Sequence, residues 1–380
     1  MPRMSGSSSL PLFYSGMFHV PMSSPTEVHR PSFVENFFPG YFALIMATGI
    51  VSLAMHFEGF PGLPEVLLWL NVIFYLVLWG ITALRIARFR SALVADLIHH
   101  ARGVTFLTTV AGTSVLGVQF AVLTPFMPVA AGLWVFAVLL WIFLIYTFFS
   151  AVTVAEPKPS IGDAINGSWL LVTVATESLT VLGTQVAQTF GFVVPILFGL
   201  LCAYLLGAMF YILFIALIVY RWIFISMEPA KLTPPYWINM GALAITTLAG
   251  ARLILSSNSW PVLHELQPFI TGFTLFFWAT GTWWIPLLVI VGFWRHAVER
   301  VPIVYDAQYW SLVFPLGMYT VATFVFANAT GMKFLLIIPQ VSVYIAILAW
   351  AVTFGAMIYK LANFWRIKPA TSGRELRSEK

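Results

Sequence analysis

Residues 168–187 read SWLLVTVATESLTVLGTQVA, and residues 190–224 just after them read FGFVVPILFGLLCAYLLGAMFYILFIALIVYRWIF. Each run is long enough to cross a bilayer as a helix, which takes roughly 20 residues. The first carries Thr173, Thr176, Glu177, Ser178, Thr180 and Thr184, whereas the second is built almost wholly from Leu, Ile, Val, Phe and other apolar residues. Hydroxyls and charges avoid lipid and gather on faces that are buried in protein or lined by water. The two runs therefore predict a hairpin with a polar leg turned inward and an apolar leg turned to lipid.

The pattern repeats along the chain. Runs of spanning length fall at 37–57, 64–89, 104–123, 128–150, 168–187, 190–224, 236–257, 266–294, 309–330 and 334–364. The odd runs start at intervals of 67, 64, 68 and 73 residues, a near-period that suggests one hairpin repeated five times. The third run carries Thr105, Thr108, Thr109, Thr113, Ser114 and Gln119, and the seventh Thr246, Thr247, Arg252, Ser256 and Ser257. The second, fourth and sixth are almost purely apolar, and the eighth and tenth only somewhat more polar. The expected fold is an all-α integral membrane protein of ten transmembrane helices in five hairpins. An inner ring of five odd helices surrounds a pore, and an outer ring of five even helices sheathes it. Close helix packing alone accounts for the small residues of the odd runs, but less well for their charges.

Composition agrees. Of 380 residues, 60% are hydrophobic and 9% charged, where a soluble domain carries about a quarter charged. The single cysteine, Cys202, lies in an apolar run, so neither an internal disulfide nor a cysteine metal cluster is available. Residues 1–35 lack the apolar core of a signal peptide and are expected to form a mostly disordered cytoplasmic tail. Residues 36–365 form the ten-helix domain, and the polar, basic residues 366–380 a second cytoplasmic tail. The tails and the loops after even runs hold seventeen of the nineteen Lys and Arg; Lys333 stands on the other side and Arg252 inside the seventh run. The positive-inside rule then places both termini in the cytoplasm of a multi-pass protein of the cell membrane.

No H-E-x-x-H, G-x-S-x-G or P-loop motif occurs. Adjacent His99 and His100 would point different ways on a helix and make a poor metal pair. The expectation is no enzyme, no cofactor or metal, and no nucleic-acid partner. Glu177 and Arg252 are the only acidic or basic residues deep in the runs, and a charge there is costly enough to need a partner or a purpose. Three readings stay open. They form an ion pair tying the fifth helix to the seventh; or Arg252 attracts an anion while Glu177 tunes it or carries a proton; or both face a water-filled vestibule. Pro315, inside the ninth run, predicts a kink and a freed backbone carbonyl. Phe314 before it either plugs a pore or packs as an ordinary membrane aromatic.

Residues 36–50, NFFPGYFALIMATGI, and residues 314–319, Phe-Pro-Leu-Gly-Met-Tyr, resemble segments of the tellurite-resistance/dicarboxylate transporter family. That family includes plant slow anion channels, fungal malate permeases and sulfite efflux pumps, and the resemblance spans roughly residues 35–365. It implies a quasi-fivefold pore within each of three protomers and a phenylalanine that occludes it; Phe314 matches that gate by its place before the proline. Glu177 and Arg252 depart from the family's simplest neutral pore and leave room for a carrier of organic acids. The expected function is membrane transport of small anions through a phenylalanine-gated pore, either a C4-dicarboxylate such as malate or an inorganic anion such as sulfite, tellurite, nitrate or chloride. The alternative is an intramembrane enzyme or sensor without transport, for which two deep charges are a thin constellation.

Overall fold

The computed structural model describes residues 32–366, so the expected tails at 1–31 and 367–380 lie outside the described residues. Ten helices are long and apolar enough to span a membrane: α1 Pro39–Phe57, α2 Leu63–Arg88, α3 Gly103–Leu123, α4 Met127–Val154, α5 Gly167–Thr189, α6 Val193–Phe224, α7 Pro234–Leu255, α8 Gln267–Val298, α9 Ala307–Thr330 and α10 Lys333–Asn363. Their ends fall within four residues of the runs read from sequence. The loops add short helices at Arg90–Leu97, Ile161–Ala164 and Pro261–Glu265, which hydropathy did not signal.

Local chemistry starts the helices. Pro39 and Pro234 open the tight first turns of α1 and α7, where a missing N–H costs nothing. Asn166 and Asp306 cap the first turns of α5 and α9, their side chains accepting from the backbone N–H of Ser168 at 2.8 Å and of Gln308 at 2.9 Å. Pro64, Pro128 and Pro268 sit in the first turns of α2, α4 and α8 and help to separate each from the helix before it.

Burial separates the two helix sets. Over their most apolar 18 residues, 78–89% of each odd helix is buried inside the protein, against 22–33% of each even helix. The odd helices pack in succession, α1 on α3, α3 on α5, α5 on α7 and α7 on α9, and α9 returns to α1. Their first turns touch in the same closed order, so all five run in one direction.

Each even helix is tied to the next odd helix by an aromatic polar tip. The hydroxyls of Tyr75 and Thr113 join α2 to α3 at 3.0 Å, and the Trp141 indole donates to Thr176 at 2.9 Å. Tyr211 donates to the carbonyl of Asn239 at 3.2 Å, Trp278 to Thr323 at 3.0 Å, and Trp350 of α10 to Thr48 of α1 at 3.0 Å. The indole and phenol bodies lie in apolar surroundings while their polar ends find a partner.

A second repeat works at the end that holds the odd-helix starts. A cation near the end of an even helix donates to the segment that leads into its own odd partner. Arg85 reaches the carbonyl of Phe37 at 2.9 Å, Arg221 that of Ile165 at 2.6 Å, Arg295 that of Pro229 at 3.2 Å and Lys360 that of Tyr305 at 3.2 Å. Arg85 also bridges Asp96 at 2.6 Å. Some of the basic residues that set the orientation signal are thus internal clamps, and Arg85 and Arg221 are buried.

Candidate functional site

A narrow cavity lies among the odd helices. It is lined by Ile50, Leu53 and Phe57 of α1, Ser114, Val115 and Val118 of α3, Ser178 and Val181 of α5, Ile245, Leu248 and Arg252 of α7, and Met318 and Val321 of α9. All five odd helices contribute, and no even helix does. The wall is aliphatic except for Ser114, Ser178, Arg252 and the ring of Phe57. Phe57 stacks on Phe324 of α9, with centroids 5.1 Å apart, at the end where the odd helices finish.

Three polar groups in this wall differ in what they have left to offer. Ser178 gives its hydrogen to the carbonyl of Ala175 at 2.7 Å, one turn back on its own helix. The buried Ser114 hydroxyl and the Arg252 Nε find no protein partner. Buried polar groups are ordinarily paired, so these two stand out in an otherwise apolar wall.

Glu177 and Arg252 do not meet. Among the described residues the ion pairs are Arg85–Asp96, Arg102–Asp96 and Lys231–Glu228, and the ion pair that the sequence allowed between α5 and α7 is not formed. The reason is rotation: consecutive residues on a helix diverge by about 100°. Ser178 faces the axis, so Glu177 faces outward to α6. There its carboxylate occupies the space a Cβ on Gly207 would need. The absence of a side chain at Gly207 makes room for a carboxylate. Arg252 is half-buried near the far end of α7 and faces the axis.

Phe314 is 1% exposed and stands one turn before Met318 on the same face of α9, in register with Met318 and Val321 of the cavity wall. It does not itself line the cavity but lies beyond its end, toward the start of α9. Pro315 packs its ring against Gly241 of α7, which has no side chain to obstruct it. Sequence reasoning missed Ser114 as an unpartnered group and Phe57 as a wall residue. Ser114 was one hydroxyl among many, and only its rotational position distinguishes it.

The fold thus defines a class: a multi-pass helical membrane protein whose five odd helices enclose a narrow axial cavity. Residues 36–358 match the SLAC1 voltage-dependent anion channel family, and the chain belongs to that family. This bears out the resemblance carried by residues 36–50 and 314–319. The chain is similar to an uncharacterized membrane protein of Mycobacterium tuberculosis, 40% identical over 163 residues, or 43% of this chain and 79% of that one. It is similar to an uncharacterized transporter of Methanocaldococcus jannaschii, 25% identical over 87% of this chain and 96% of the relative. It is also similar to the sulfite efflux pump of Arthroderma benhamiae, 22% identical over 86% of this chain and 91% of the pump. The family and the two longer-matching relatives carry the names of channels, transporters and pumps, and they support anion transport in general.

Proposed function

We propose that the protein passes small anions along the axis of its odd helices, with Arg252 attracting the ion at one end and Phe314 gating the path at the other. The observation that carries this reading is the cavity wall itself: five helices contribute to it, and its one charge is positive. The starts of five parallel helices gather at the opposite mouth, and their dipoles add positive potential there. Between the two attractors the wall is mostly aliphatic, with Ser114 and Ser178 its polar exceptions, so an ion must shed most of its water to pass. A phenyl ring across the path at Phe314 blocks conduction by dewetting. The kink expected at Pro315, seated against Gly241, sets the ring's position. The excess of basic residues at the end with the odd-helix starts supports a cytoplasmic position for that mouth and for both termini in a cell-membrane protein. Its assembly is a homotrimer, each protomer carrying its own path.

Relatives named sulfite efflux pumps favour a small oxyanion such as sulfite; malate, nitrate, chloride and tellurite share the needed chemistry of compact negative charge. The test is uptake into proteoliposomes of a panel of labelled anions, with and without a proton gradient. Uptake of at least one anion above protein-free liposomes is expected. No uptake of any member by folded wild-type protein or by Phe314→Ala sinks the reading.

A further inference from the structure

The axial path leaves Glu177 unused. This carboxyl is fully buried, and neither oxygen has a hydrogen-bond partner of good geometry. Thr173, one turn back on α5, likewise has a buried hydroxyl with no protein partner. The nearby hydroxyls are engaged elsewhere. Thr246, beside the carboxyl, donates to the carbonyl of Ala242 at 2.9 Å. Tyr211 donates to the backbone of Asn239 at 3.2 Å, and Tyr204 pairs with Thr274 at 3.0 Å. The titratable group facing Glu177 is Tyr204 of α6. The faces of α4 and α7 packed there present none, Arg252 being turned to the axis.

A carboxylate in a membrane interior needs a counter-charge or a proton. Among the described residues no Lys, Arg or His lies within salt-bridge distance of Glu177. We propose that Glu177 is a proton-binding site behind the wall of the axial cavity, and that its proton controls anion passage. The coupling is short. Ser178, the next residue, is part of the cavity wall. Protonated, the site is neutral and α5 presents no charge to a passing anion. Ionised, it sets a like charge about one helix width from the path. Anion flux is therefore high at acid pH and falls as pH rises through the titration of Glu177. The fall is roughly tenfold, the Boltzmann factor for like charges about 10 Å apart at an effective dielectric of about 20.

Two readouts on the full-length reconstituted protein test this, and the first does not depend on transport. Infrared difference spectra of the wild type, taken as pH is raised, should show loss of a protonated carboxylic-acid band that shifts in D2O and is missing from Glu177→Gln. Nitrate is the probe for flux because its own charge is fixed across the range. Wild-type nitrate flux should fall as the band is lost, and Glu177→Gln should hold the acid-side flux at every pH. A spectrum without such a band overturns the site. Wild-type flux that stays flat while the band bleaches overturns the control. Flux that requires sodium at all pH values, with no acid band, overturns it in favour of a metal cation. If no variant passes nitrate or any other anion, the axial reading fails, and the infrared band still decides whether Glu177 holds the proton.

Discussion

The indole of Trp350, on the last membrane helix, donates to the hydroxyl of Thr48, on the first, at 3.0 Å. This bond joins the two ends of the helical domain, and it is the fifth member of a set that ties every even helix to the next odd one. Trp350→Phe keeps most of the ring's packing and removes the donor. A neutral hydrogen bond contributes about 0.5–1.5 kcal/mol net, so a loss of about 1 kcal/mol is expected. A double-mutant cycle with Thr48→Val, followed by denaturation in detergent, isolates the pair. Additive effects would show that the bond contributes nothing.

Phe314→Ala should raise anion flux roughly tenfold or more, which corresponds to a barrier lowered by about 1.4 kcal/mol. Phe314→Leu should give a smaller rise, with cations still excluded in both. A ring that serves only the core behaves otherwise: its truncation costs about 3–5 kcal/mol and lowers folded yield. Liposome flux measured beside thermal stability separates the two. Unchanged flux with a large stability loss returns Phe314 to the core.

Arg252→Gln should lower flux about tenfold while leaving stability near wild type, since no carboxylate is stranded by the change. Arg252→Lys keeps the charge and should recover part of the flux. A stable Gln variant with wild-type flux for every anion tested removes Arg252 from the path.

Arg221 and Arg88 both lie near the ends of even helices on the same face of the protein, but Arg221 is buried and Arg88 exposed. Arg221 also donates to the Tyr236 hydroxyl, so Arg221→Met strands that oxygen and the carbonyl of Ile165. The expected cost is about 1–3 kcal/mol, against less than about 0.5 kcal/mol for Arg88→Met. Both remove one positive charge from one face, so an orientation effect is common to the pair and stability alone distinguishes them. Equal melting temperatures would falsify the clamp.

Helix number, span limits and the polar–apolar alternation were legible because lipid imposes them residue by residue. The run at 190–224 admits no other reading, and α6 spans Val193–Phe224. What stayed hidden depends on rotation. In α5 nearly every residue is buried, so polarity cannot tell which side of Glu177 meets the axis. Gly207, 30 residues further on, receives that carboxylate, and a lone glycine in an apolar run gives no sign of it. The clamps were hidden for another reason: Arg85 and Arg221 look like the loop arginines of any membrane protein until the carbonyls they bind are known.

The pairing of α10 with α1 also fixes when the molecule becomes complete. Hairpins emerge from synthesis in order, and α1 and α9 each present hydroxyls that only later neighbours can cover. Until the fifth hairpin inserts, Thr48 and the open side of α1 face lipid or a chaperone. Four hairpins make an arc with two raw edges, and the fifth hairpin closes it, α9 packing on α1 and α10 covering Thr48. Maturation in the membrane should therefore behave as a single late event rather than five gradual ones, and a nascent chain stalled before α10 is the species that a membrane quality-control protease can recognise.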